Sequence, residues 1–92
     1  MQSAKSPAVE GYAAAMDKMH KAMSITYSND TDVDFARAMI PHHQGAIDMA
    51  QVALQHAKDD QIRRMAQKVI DDQTKEIKEL QGWLEKHDGA TK

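Results

Sequence analysis

The sequence predicts an all-α protein, an up-down bundle of three long helices. Apolar residues recur at a spacing near 3.6 through three separate stretches. No stretch alternates as a half-buried strand would, and cap or turn residues bound each one. Residues 1–7 read as a disordered lead ended by Pro7, which favours a helix start just after it. From Val9 the apolar face collects Tyr12, Ala13, Met16, Met19, His20, Met23 and Tyr27, so the first helix is predicted over roughly residues 8–27. Ser28-Asn29-Asp30-Thr31 is a turn and cap cluster, and Thr31 with Asp34 has the spacing of a capping box.

The second helix carries Phe35, Met39, His42, His43, Ala46, Ile47, Ala50, Ala53 and Leu54 on one broad face. Pro41 lies well inside it. A proline there removes one backbone donor and crowds the carbonyl of Arg37, so a kink or break is expected near residues 37–41. Lys58-Asp59-Asp60 marks the next turn. The third helix is predicted from about 60 to 87 on Ile62, Met65, Ala66, Val69, Ile70, Ile77, Leu80, Trp83 and Leu84, with Gly89 closing it. The domain therefore spans 8–88, followed by a disordered tail at 89–92. Short connections favour antiparallel neighbours, giving three helices or a four-helix arrangement completed by a partner chain, a second copy included. Tyr12, Tyr27, Trp83 and Met65 read as core or core edge, and His56 and His87 as surface.

Composition excludes several functions. The 92 residues allow one small domain. There is no cysteine, which removes disulfides, zinc ribbons and thiolate redox chemistry. A net charge of −2, with no basic run, argues against nucleic acid and anionic membrane as partners. No apolar run approaches the roughly 18 residues that span a bilayer. The N-terminus lacks an apolar signal core, which leaves either a cytosolic protein or an exported one whose leader has been removed.

Seven methionines against one phenylalanine is an unusual balance, because methionine specifies packing weakly. Two segments concentrate it beside histidine. Met39-Ile40-Pro41-His42-His43-Gln44-Gly45-Ala46-Ile47-Asp48-Met49 sets two imidazoles between two thioethers, and Met16-Asp17-Lys18-Met19-His20-Lys21-Ala22-Met23 repeats the same residue types one helix earlier. At about 100° per residue, Met16, Met19, His20 and Met23 share one arc of the first helix, while Met39, His42, His43 and Met49 share a wider arc of the second. With the turn centred near Asn29, Met19 is expected opposite Met39, and Met16 opposite His42. Folding back through residue 59 brings Gln73 and Glu76 to the level of Gly45 and His42, with Gln73 a candidate to orient an imidazole.

Thioether and neutral imidazole suit Cu(I), and Ag(I) as its surrogate. Cu(II) is expected to bind more weakly, through the histidines alone. The ordinary reading of a methionine stripe is core packing, and of a lone histidine a hydrogen-bonded core residue. Three imidazoles and five or six thioethers at one level favour the ligand reading. A di-iron bundle would need paired Glu-x-x-His, and a zinc protease His-Glu-x-x-His; neither occurs. Nickel or zinc on His42 and His43 stays open, although neither explains the methionines. With no nucleophile system and no phosphate loop, an enzyme is not expected.

Residues 34–49, with Gln73-Thr74-Lys75-Glu76-Ile77 and Trp83-Leu84 further on, resemble a bacterial family named as domain of unknown function 305, whose characterised members are the CopM-like copper-binding proteins. The resemblance covers about residues 9–86 and is densest at Met-Ile-Pro-His-His-Gln-Gly-Ala. It implies a ferritin-like helical bundle, exported to the periplasm, that binds Cu(I) and often Ag(I) in copper tolerance or delivery. A copper-exporting or copper-accepting protein would be its partner. Met39, His42, His43 and Met49 match the signature positions; Met16, Met19, His20 and Met23 match only a looser methionine-rich first helix. The expected function is thus sequestration or delivery of Cu(I), and the competing one a metal-independent helical module whose methionines receive a partner.

Overall fold

The computed structural model describes residues 6–87 and folds them into three helices, α1 (Pro7–Ala22), α2 (Thr31–His56) and α3 (Asp60–His87), with no strand among the described residues. Pro7 opens α1 instead of ending a lead before it. The Ser6 hydroxyl accepts a hydrogen bond from the Val9 amide at 3.1 Å, so Ser6 is the cap and Pro7 takes the first turn, where its missing N–H costs nothing. The remainder of the expected lead, and the expected tail with Gly89, lie outside the described residues.

The first helix stops at Ala22, five residues short of the predicted 27. Ser24, Ile25, Thr26, Tyr27, Ser28 and Asn29 are all weak helix formers, and together they outweigh the apolar period that ran through Met23 and Tyr27. Residues 23–30 form a non-helical strap instead, and Tyr27, expected at the core edge, is 69% exposed on it. Asn29 ends the strap at φ 72, a left-handed conformation that asparagine tolerates. The cap of α2 is Asp30, whose carboxylate accepts from the Asp32 and Val33 amides at 3.1 and 3.3 Å. The expected Thr31–Asp34 box does not form. Asp34 turns back to accept from the Ser28 amide at 2.8 Å and the Ser28 hydroxyl at 2.9 Å, and these bonds, the amide first, hold its carboxyl below the usual aspartate value.

The helix α2 runs unbroken through Pro41. At its far end Arg63 of α3 donates to the Leu54 carbonyl and, at 3.3 Å, to that of Ala57, satisfying acceptors that a helix end leaves open. Asp59 caps α3 by accepting from the Ile62 amide at 2.9 Å.

α2 is the central element, packing against α1 on one side and α3 on the other, while α1 and α3 make no backbone contact with each other. Both pairings are antiparallel: Gly11 faces Val52 and Met19 faces Gly45 across α1/α2, and His43 meets Glu76 and Leu54 meets Arg63 across α2/α3. The α2/α3 seam holds two apolar clusters. One is Val33, Ala36 and Leu84 with Ile40, Leu80 and Trp83 around them; the other is Ala50, Ala53 and Ala66 with Leu54, Ala57, Val69 and Ile70. The α1/α2 contact is built on glycine. A Cβ at Gly45 would fall 2.8 Å from Met19 Cγ and 3.1 Å from its Cβ, and one at Gly11 would fall 3.0 Å from a methyl of Val52.

Gly45→Ala measures that approach. Alanine gains about 1 kcal/mol of helix propensity over glycine. The added methyl meets Met19 close to its backbone, where the side chain cannot swing clear, and overpacking costs about 1–3 kcal/mol. Urea unfolding is expected to show a net loss on the order of 1 kcal/mol, recovered when Met19 is also shortened to alanine. A Gly45→Ala protein more stable than the parent contradicts this close approach.

Candidate metal centre

His43 sits in the α2/α3 seam between the two apolar clusters, its side chain only 11% exposed. Both ring nitrogens are engaged. Nδ1 lies 2.8 Å from the Met39 carbonyl one turn back, and Nε2 lies 2.7 Å from Oε1 of Glu76 on α3. A carbonyl can only accept, so Nδ1 carries a hydrogen. The backbone thus fixes the ring and presents Nε2 to the outside, which is how imidazole ligands are commonly oriented.

Met39 and His43 share an open groove with Glu76, Glu79, Leu80 and Trp83, and Phe35 stands at its rim, 61% exposed. The imidazole partner from α3 is Glu76 and not Gln73. The sequence placed both at this level, but a glutamate among exposed residues gives no sign that it turns inward.

His42 is exposed, its ring centroid 6.1 Å from that of His43 and the two planes at 64°. The neighbouring imidazoles therefore serve different surroundings. On the turn of α2, His42 and Met49 fall about 20° apart and point towards the edge where α1 passes. Tyr12 of α1 lines one groove with Ala46 and Met49, and Met16, Met19 and Met23 lie on the same edge of α1 as Tyr12. The observed pairings set the register. With Met19 on Gly45 and Lys18 paired to Asp48 at 3.4 Å, Met16 comes level with Met49, and Met23 with Pro41 and His42.

That register is shifted by about six residues from the expected Met19–Met39 alignment. The strap runs alongside the first part of α2, so α1 begins its contact only near His42. Met19 is drawn into packing on Gly45, and His20 lies further round, exposed. The eight candidates thus divide. Met39 and His43 belong to the α2/α3 groove. Met16, Met23, His42 and Met49 belong to the α1/α2 edge, Met19 lies beneath it, and His20 stands apart.

Gln44 and Asp48 of the same segment do structural work: Gln44 donates to Asp48 at 3.0 Å, and Asp48 holds Lys18 of α1. Met65, expected in the core, is 56% exposed. His56 and His87 are exposed as expected, and His87 stacks on Trp83 with centroids 4.4 Å apart. Among the described residues no three of His, Cys, Asp and Glu gather into a group able to hold a metal ion.

No curated protein matches the chain. The family comparison matches the domain of unknown function DUF305 over residues 32–92, which takes in nearly all of α2 and the whole of α3 and leaves α1 outside. With two thirds of its length matched, including His42, His43 and Glu76, the chain belongs to the DUF305 family.

Proposed function

We propose that this protein binds Cu(I), and Ag(I) in its place, through thioether and imidazole ligands, and that it sequesters or hands on the ion. One observation carries the reading. The buried apolar core is Ala15, Val33, Ala36, Ile47, Ala50, Val52, Ala53, Ala66 and Leu84, and it contains no methionine. Every methionine among the described residues is half-buried or exposed. A methionine kept for packing belongs inside, so packing accounts for Met19 on Gly45 but not for Met16 and Met49, which stand open. Thioethers at the surface, beside imidazoles, are what a soft ion takes.

On this reading the ligands fall into two groups. In the α2/α3 groove, Nε2 of His43 and the sulfur of Met39 are the donors, and Glu76, itself half exposed, is the side chain that has to swing aside. At the α1/α2 edge, Met16, Met23 and Met49 with His42 are the donors, and Met19 and His20 contribute only after α1 shifts. The thioethers hold the ion without competing for protons, which suits a protein that must release its cargo to an acceptor. Copper tolerance in an exported compartment is the role most consistent with such a set, with a copper-exporting or copper-accepting protein as its partner. The competing module reading rests on the same open methionines, and leucine separates the two because it keeps apolar docking while removing the sulfur.

Competition assays are expected to show Cu(I) and Ag(I) bound while Mg(II), Ca(II) and Mn(II) are not. Met39→Leu should weaken Cu(I) binding at least tenfold, whereas Met65→Leu leaves it unchanged. Each swap costs under about 1.5 kcal/mol of stability, so the comparison isolates the ligand. Equal losses from the two variants, or Mn(II) binding as tight as Cu(I), contradict the reading.

The ring geometry yields a sharper expectation. Because Nδ1 of His43 is committed to the Met39 carbonyl, Ag(I) should move the ¹⁵N resonance of Nε2 and leave Nδ1 protonated. Loss of the Nδ1 proton on Ag(I) addition would show that the ring is not held as described.

A further inference from the structure

Soft-ion binding accounts for exposed sulfur but not for exposed aliphatic and aromatic carbon. Because the α1 and α3 backbones stay apart, an open groove runs between them over α2, lined among others by Tyr12, Ala46, Met49, Ile62, Met65 and Val69. Val9 and Met16 flank Tyr12 on its edge of α1. Val9, Tyr12, Met16, Met49, Ile62 and Met65 are each 36–56% exposed, so six large apolar side chains open onto one face. Scattered single residues of this kind are normal, but a contiguous set is an interaction site.

We propose that this face is a self-association surface, on which two copies of the chain pack about a two-fold axis, the Ile62–Met65–Val69 ridge of each entering the groove of the other. Shape is the first argument. The patch contains a groove and, in its α3 wall, an open ridge, and an isologous contact requires both, since the same surface must serve as both partners. Charge is the second. A two-fold contact brings a patch against itself, so any net charge in it would repel its own image. The groove lining carries no ionisable side chain but Tyr12, and Lys68 and Asp72 further along α3 pair with each other at 2.7 Å.

Area is the third argument. The six open side chains expose on the order of 500 Å², and the alanines between them add to it, against about 800 Å² per partner in a standard interface. That places the dimer at the weak, concentration-dependent end. This proposal shares Met16 and Met49 with the α1/α2 ligand group, but it is carried by Tyr12, Ile62, Met65 and Val69, which the copper reading leaves aside, and it needs no metal.

Sedimentation equilibrium of the full chain in the presence of a chelator tests it, across micromolar to millimolar concentration. A monomer–dimer equilibrium is expected. Met65→Glu should weaken it at least tenfold with the far-UV circular dichroism unchanged, since Met65 is not core. Phe35→Glu, equally open but outside the patch, should leave it intact. Because the chain has no cysteine, Met65→Cys can form a disulfide only between copies, and mild oxidation should cross-link it much faster than Phe35→Cys. A chain that stays monomeric to millimolar concentration overturns the proposal. So does a dimer that Phe35→Glu breaks as readily as Met65→Glu. A monomer whose groove takes an unrelated amphipathic helix one-to-one also overturns it, and shows a different occupant.

Discussion

Small side chains at the helix contacts govern this structure. Among the described residues, five of the nine buried apolar ones are alanine (Ala15, Ala36, Ala50, Ala53 and Ala66), and the α1/α2 contact adds Gly11 and Gly45. Where contact centres are this small, helix axes approach closely and larger side chains are displaced to the flanks. That displacement puts Met16, Met23, Met39 and Met49 where solvent reaches them, and Phe35, Ile62 and Met65 with them. The chain spends little of its apolar surface on its own interior, which leaves one face available for other uses.

The same constraint shapes the surroundings of His43. Two compact apolar clusters leave a gap between them in the α2/α3 seam, and His43 occupies it. A nearly buried imidazole needs partners for both nitrogens, and the Met39 carbonyl and Glu76 supply them. Its neighbour His42 faces another edge and has no such restraint. Adjacent identical residues on a helix differ by about 100°, which is enough to give them separate tasks.

Helix periodicity made α3 legible in the sequence over its full observed range, because its apolar stripe runs from Ile62 to Leu84 with a break only at Gln73. It also placed α2, whose continuation through Pro41 shows that packing on both sides outweighs one missing donor. The end of α1 was not legible, because Met23 and Tyr27 continue the period after helix propensity has run out at Ser24–Ile25–Thr26. The α1/α2 alignment inherited that error, which is why the Met39–His43 pair and the α1 methionines separate. Periodicity reports which residues share a face but not how deeply a face is buried, so Met65, read as core, stands largely open, as does Phe35 on the broad face of α2. Glu76 was visible in level and invisible in direction, because a surface glutamate and one aimed at an imidazole have the same sequence neighbours.

The central claim is that the thioethers lie outside the core because they are kept for a soft ion. Methionine methyl NMR during an anaerobic titration with Ag(I) tests it most directly. The account predicts that the methyls of Met39, Met16, Met23 and Met49 shift while that of Met65 stays in place. Ag(I) binding that moves only histidine resonances and leaves every methionine methyl unmoved would contradict it.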